Sequence, residues 1–176
     1  MYLGQEFNVL GDWFRIHFIE NDGMAFGWKF AGQHGKLALS IFRIICIGFI
    51  IYMVRELIQR KAQLGIILCL SLILAGAIGN MIDSAVYGLI FSESSGALRN
   101  IAEAMPTDGG YAGFLQGNVV DMLYFPLVDG FYPDWMGGKY FIFFRPVFNI
   151  ADASITLGVT MIFLFYRSFF MSESTN

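Results

Sequence analysis

Apolar residues gather along this chain in three long stretches, Leu37 to Val54, Leu64 to Ile82 and Ile150 to Phe165. Each approaches the ~20 residues a helix needs to cross a bilayer core. They predict transmembrane helices over 37–54, 64–83 and 150–170. The first two are joined by Arg55-Glu56-Leu57-Ile58-Gln59-Arg60-Lys61, and Arg167 follows the third. Short cytoplasmic connections collect Lys and Arg, so both places are expected inside. Residues 1–35 and 84–147 then lie outside, where their Trp, Tyr and Phe suit the membrane interface. Alternation from Trp13 through Ile16, ending at Asn21-Asp22-Gly23, predicts a short strand and a turn. Leu98, Ile101, Ala102 and Met105 stand at helical spacing between Ser94-Ser95-Gly96 and Pro106, which predicts a short amphipathic helix on the membrane, placed to cover a site. Between Gly109-Gly110 and Phe144, with Pro126, Pro133 and Gly137-Gly138, the pattern supports only strands or loops. The expected class is an all-α polytopic membrane protein with a small extracytoplasmic β-rich element, one domain over 1–176.

Composition agrees: of 176 residues, 56% are hydrophobic and only 14% charged, against roughly 25% charged in soluble domains. With a net charge of −3 and no basic stripe, nucleic acid is excluded as a partner. Cys46 and Cys69 lie inside apolar runs without metal-ligand or CxxC spacing, so neither a disulfide framework nor a metal is expected.

Charged and amide side chains within such runs require a reason, because an intramembrane charge is costly. Arg43 sits inside the first run, where it either snorkels outward or pairs with a carboxylate. In Gly79-Asn80-Met81-Ile82-Asp83, spacing of three puts Asn80 and Asp83 on one helical face. There they mark the water boundary or organise a site, and Asp83 is expected to close the helix. Phe148-Asn149-Ile150-Ala151-Asp152 opens the third run. Asn followed three residues later by an acid is close to a capping box, so Asn149 reads as N-cap and Asp152 as its partner. Gly117-Asn118-Val119-Val120-Asp121 places a second acid among apolar residues on the same membrane face. Two such acids, each near an Asn, suit a pair that shares a proton. Asn21-Asp22-Gly23-Met24-Ala25-Phe26 is either a plain turn or, through its Asn and small residues, a place where an extended peptide is held.

Taken in order, Asn21-x-Gly23-x-Ala25-Phe26, Gly79-Asn80-x-x-Asp83, Asn118-Val119-Val120-Asp121 and Phe148-Asn149-x-Ala151-Asp152-x-Ser154-Ile155 resemble the motif set of the lipoprotein signal peptidases, or type II signal peptidases. The resemblance implies that Asp121 and Asp152 are the catalytic aspartates, with Asn21, Gly23, Asn80, Asp83, Asn118 and Asn149 shaping the site. It implies an intramembrane aspartic endopeptidase of the bacterial cytoplasmic (inner) membrane, with its site at the extracytoplasmic face. Its substrates would be diacylglyceryl-modified prolipoproteins, cleaved before the lipid-modified cysteine, with membrane lipid as the surroundings and no metal or organic cofactor. Two features depart from the pattern. The family's first span, with its Asp-Gln-x-x-Lys motif, would precede Met1, so four spans are expected in the complete protein. Ser84 stands where many members carry Arg, which points to Arg43 as the cation in its place.

In such a pair one carboxyl stays protonated while the other activates water. The dipole at a helix N-terminus favours the anion on Asp152 and leaves the proton on Asp121. An ion-coupled transporter would place acids in both leaflets, and a membrane scaffold would use these residues only as caps and packing groups. Both are alternatives the site geometry must discriminate.

Overall fold

The two longest elements are α1 (Gly32–Gln59) and α2 (Leu64–Ile90), in a computed structural model that describes residues 1–21, 32–126, 128–143 and 146–166. At ~1.5 Å rise per residue each is longer than the ~30 Å hydrocarbon core. Both are apolar enough to cross it. On α1, Phe42, Ile45 and Phe49 are 62%, 64% and 60% exposed. A soluble monomer does not carry such a continuous apolar face, whereas lipid covers it at no cost. The helix ends where Lys61 takes a left-handed backbone, φ 53°, and the Ala62 N–H returns to the Leu57 carbonyl at 2.9 Å. This is a Schellman cap that reverses the chain into α2.

The second helix passes Asp83, which was expected to close it, and continues to Ile90. The physical reason is visible in Ser84-Ala85-Val86-Tyr87-Gly88-Leu89-Ile90, which holds no proline and stays mostly apolar, so nothing interrupts the hydrogen-bond ladder. Asn80 and Asp83 are therefore interior helix residues. The third helix, α3, spans Ile150–Met161 and runs into a π-helical turn over Ile162–Tyr166. Ile150–Tyr166 is apolar but shorter than the other two, so two helices of spanning length are established among the described residues.

Backbone approach joins α2 to α3. A Cβ on Gly158 would stand 2.6 Å from the Cys69 carbonyl oxygen, and one on Gly76 would collide with the Ala151 carbonyl. Small residues at these points let the helices touch through their backbones, as membrane helices without a hydrophobic driving force require. Near the loop between α1 and α2, Leu57, Ile66 and Leu70 form the buried core, flanked by Ile162 and Tyr166.

The polar end carries a four-stranded antiparallel sheet of β1 (Glu6–Leu10), β2 (Phe14–Asn21), β3 (Val119–Tyr124) and β6 (Val147–Phe148), in the order β1-β2-β3-β6. A separate hairpin pairs β4 (Val128–Phe131) with β5 (Tyr140–Phe143). The strand expected near Trp13 to Glu20 is β2, whereas the turn at Asp22-Gly23 lies outside the described residues. Along β2 and β3 the register runs Ile16↔Leu123 and then Ile19↔Asp121, so a bulge falls immediately beside Asp121. An extra residue there re-aims the neighbouring side chains, a common device next to functional sites.

The amphipathic helix expected around 96–105 does not form. The segment is instead a loop with bridges Ser95↔Asn100, Phe91↔Ala104 and Tyr2↔Ile101, and Arg99 and Met105 have φ 50° and 55°. Its serines explain the difference: the Ser92 hydroxyl accepts from the Glu103 N–H at 2.9 Å and the Ser95 hydroxyl from the Leu98 N–H at 3.4 Å. Such local bonds compete with helical ones. Leu98 and Met105 are left 83% and 78% exposed.

Replacing Gly158 by Leu should force α3 off α2 and lower stability by about 1–3 kcal/mol, read as a reduced melting temperature in detergent. Gly48→Ala, whose new methyl group has nothing within 4 Å, should leave it nearly unchanged. Equal melting temperatures for the two variants would refute the close helix contact.

Candidate functional site

Asn149 is the N-cap of α3, and its side-chain oxygen accepts from the Asp152 N–H at 2.8 Å. Capping leaves the amide nitrogen free for other acceptors. It donates to Asp121 Oδ1 at 2.9 Å and to Asn80 Oδ1 at 3.0 Å, with a longer 3.4 Å contact to the Val120 carbonyl. Asn80 in turn donates to Asp152 Oδ1 at 2.7 Å. Asp121 also receives the Asn21 amide at 3.2 Å on its other oxygen. Two aspartates from different elements are thus joined through the amides of α2 and the head of α3, with the β2 amide on Asp121 alone.

Each position has a local cause. Asn21 pairs with Val119 across the ladder, so its side chain lies on the face of β3 that carries Val119 and Asp121 and reaches the latter diagonally. Leu123↔Phe148 and Tyr124↔Val147 hold β6 against β3, which brings Asn149, the next residue, within side-chain reach of Asp121. Phe125 stacks on Phe14, with ring centroids 4.8 Å apart, and on Phe148 at 5.8 Å. The Gly76 contact sets α2 close enough to α3 for Asn80 to reach Asp152.

Asp83 stands beside the network. It makes a long 3.5 Å contact with the Val120 N–H and is hydrogen-bonded to Tyr87, a partner one turn further along α2. Arg43 reaches Ser84 Oγ at 3.3 Å and lies within electrostatic range of Asp152. Asn118 is held elsewhere: its amide donates to Glu20 at 2.8 Å, its oxygen accepts from Lys36 at 2.6 Å, and its N–H donates to the Tyr111 hydroxyl at 2.7 Å. Ser94 bonds the same Glu20 carboxylate. Asn118 therefore locks the start of β3 to β2, α1 and the 92–104 loop and touches neither aspartate. Gly23 lies outside the described residues. Tyr87 could have been read from its spacing of four from Asp83, but nothing in the sequence marks Glu20 or Lys36 as partners of Asn118.

Asp121 is only 3% exposed. Burial raises its carboxyl from the usual 3.8 to about 6; the Asn21 hydrogen bond opposes this, the nearby Asp152 adds to it, the Asn149 bond opposes it, and Asp83 adds a smaller increment. A carboxyl so placed keeps its proton in mildly acidic conditions and can give it up near neutrality. A cavity of about 380 Å³ opens beside the network, with Asn80, Asp83 and Asn149 in its wall next to Ile16, Val120 and Leu123. A second, of about 250 Å³, shares Tyr87, Val120 and Met122 with it. Together they offer an apolar volume of the size a ligand segment fills, with few polar groups to orient it.

Helices of spanning length beside a cluster of carboxylates and amides have the build of a membrane enzyme. A solved bacterial membrane enzyme matches this fold with a TM-score of 0.54 and 25% identity, over 93% of this chain and 76% of its own. The family model for signal peptidase (SPase) II matches residues 1–170, and the chain belongs to that family. It is 48% identical over 170 residues to a lipoprotein signal peptidase of Porphyromonas gingivalis, covering 94% of this chain and 72% of the relative. A lipoprotein signal peptidase of Amoebophilus asiaticus is 38% identical over 169 residues, covering 94% and 66%. The chain is accordingly a membrane peptidase.

An infrared carboxyl titration should show the Asp121 band changing with a midpoint of about 6. Because that value lies above the ordinary one, the linked stability is present below about pH 4 and is lost as pH rises through about 6. Asn21→Ala removes a donor to the charged form and should move the midpoint up. Asp83→Asn removes a like charge and should move it down. A midpoint near the ordinary value, or shifts of the opposite sign, would contradict this electrostatic account.

Proposed function

We propose that this protein removes signal peptides from diacylglyceryl-modified bacterial prolipoproteins, cleaving before the lipid-modified cysteine, with Asp121 and Asp152 as an aspartic catalytic pair. The observation that carries the reading is Asn149, which contacts both residues at once, in a chain whose relatives are lipoprotein signal peptidases. Asp152 takes a proton from water, the resulting hydroxide attacks the scissile carbonyl carbon, and Asp121 gives its proton to the carbonyl oxygen. Collapse of the tetrahedral diol expels the amine, which leaves with a proton returned by the pair. No covalent enzyme intermediate is needed. The raised value of Asp121 supports its part as proton carrier, and the position of Asp152 in the first turn of α3 supports the other role, since a helix N-terminus favours negative charge. The extended chain of the substrate would lie in the cavity beside β3.

The site belongs at the extracytoplasmic face of the cytoplasmic membrane in this reading, with Ile150–Tyr166 belonging to a third span. The basic connection between α1 and α2 supports that orientation. A cysteine introduced as Arg60→Cys should be labelled by impermeant reagents only from the cytoplasmic side. Labelling from outside in intact cells would invert the topology.

Replacing either Asp121 or Asp152 by Asn should abolish cleavage of a diacylglyceryl-modified prolipoprotein while the protein remains inserted and folded. An amide cannot exchange the proton, and one carboxyl cannot serve as acid and base in the same step. Losses should not add, because members of one catalytic unit fail together. If Asp152 acted only within a cap, the change would cost about 1 kcal/mol of stability and leave turnover intact. Near-normal cleavage by either variant would falsify the aspartic mechanism.

A further inference from the structure

Beside Asp121 the sheet is held over a short stretch. Strand β2 ends at Asn21 and β3 begins at Val119. Between that open end and the bulge the ladder keeps the pairs Ile19↔Asp121, Glu20↔Val120 and Asn21↔Val119. Ends of elements are where local opening costs least. Opening here would carry the Asn21 amide away from Asp121 Oδ2, to which it donates at 3.2 Å.

Side chains close the end that the backbone leaves open. Asn118, the residue before β3, donates from Nδ2 to Glu20 Oε2 at 2.8 Å and accepts at Oδ1 from the Lys36 ammonium at 2.6 Å. A carboxamide between an anion and a cation has one orientation that satisfies both, and its two charge-assisted bonds polarise each other. The Asn118 N–H donates to the Tyr111 hydroxyl at 2.7 Å. The other Glu20 oxygen accepts from Ser94, only 6% exposed. The start of β3, the head of α1 and the 92–104 loop are thus tied, directly or through Asn118, to one carboxylate of β2, on the residue next to Asn21. Successive side chains of a strand face opposite ways, so Glu20 acts on Asn21 through the backbone they share.

We propose that Glu20 is a positioning residue of the peptidase: gripped by Asn118 and Ser94, with Lys36 behind Asn118, it keeps the end of the β2–β3 ladder paired and so holds Asn21 against Asp121. Its catalytic consequence rests on the reading of Asp121 and Asp152 as the catalytic pair. Glu20 itself touches no reacting atom.

The test uses the whole chain in nanodiscs and compares wild type, Glu20→Ala, Asn118→Asp and the double variant Glu20→Gln/Asn118→Asp. It reads kcat and KM for a diacylglyceryl-modified prolipoprotein, and the infrared midpoint of Asp121. Glu20→Ala removes the grip, and Asn118→Asp sets a second carboxylate against Glu20. Each should lower kcat by about ten- to a hundredfold, the cost of a small misplacement at the reacting groups, with KM little changed. In Glu20→Ala the Asp121 midpoint should rise, because Asn21 no longer favours the ionised form. Loss of a negative charge acting only through space would lower it. In the double variant the amide is reversed: the introduced Gln donates to the carboxylate now at position 118 and accepts from Ser94, with total charge as in wild type. There kcat should return close to the wild-type value. Unchanged kcat in both single variants, a midpoint that falls or stays in Glu20→Ala, or a double variant as slow as Asn118→Asp would each overturn the proposal. A rise in KM with kcat intact would do the same, assigning Glu20 to substrate binding. Should the single variants not fold, the double variant decides: kcat near wild type supports the clamp, and a loss of about tenfold or more refutes it. Failure of the catalytic-pair reading would look different, as undiminished cleavage by Asp121→Asn or Asp152→Asn.

Discussion

One carboxamide, that of Asn149, carries the constraint on which the site depends. Its oxygen satisfies an N–H in the first turn of α3 and its nitrogen serves Asp121 and Asn80. The helix cannot begin at this residue without fixing the amide, and the amide cannot be fixed without bringing Asp121 to the head of α3. Loss of an N-cap alone costs about 1 kcal/mol. Loss of this one would also take the donor from one oxygen of the buried Asp121 carboxyl, and unmade bonds to buried groups are the more expensive kind.

Two packing relations make that amide effective. From one side, β6 pairs with β3 for two residues and delivers the chain directly to Asn149, so the register of the sheet sets the height of the α3 head relative to Asp121. From the other, the contact at Gly76 brings the α2 backbone to that of α3, and Asn80 spans the short remaining gap to Asp152. The sheet and the helix pair thus meet at hydrogen bonds made by amides. The choice of amide matters physically. A cation in direct contact with Asp121 would pull its proton off, whereas neutral donors orient the carboxyl and leave burial to raise its value to about 6. The amides fix the geometry and also temper the rise that burial causes, so orientation and proton affinity are set together.

What the sequence disclosed follows local rules. Apolar run length located α1 and α2, because bilayer thickness imposes a simple length rule, and the Asn149 cap was legible because capping depends on residues within one turn. The contact between Asn149 and Asp121 joins residues 28 apart, and no local rule links them; only the ordered motifs of the family brought them together beforehand. The structure departs from the local pattern where two local rules compete. Asp83 resembled a helix terminus because charge marks water, yet the apolar residues after it continued the helix. Leu98, Ile101 and Met105 kept helical spacing, yet the serines around them satisfied the backbone in a loop. The Glu20 and Lys36 bonds to Asn118 depend wholly on tertiary approach and left no trace in local pattern.

The aspartates also discriminate among the functional classes through where their carboxylates point. In a capping box the acid returns to the N–H of the cap residue, and a scaffold would require no more of Asp152. Here the carboxylate turns away from that role and accepts from Asn80 on another helix, while the cap is completed by the Asn149 side chain alone. A transporter would distribute its acids along a path through the bilayer, whereas Asp83, Asp121 and Asp152 are near enough to sense one another's charge. Concentrating three acids at one place raises the energy of ionising them all, a burden that packing does not require. It becomes useful when one member must hold a proton while another is charged, the condition under which a carboxyl pair performs acid and base chemistry in a single step.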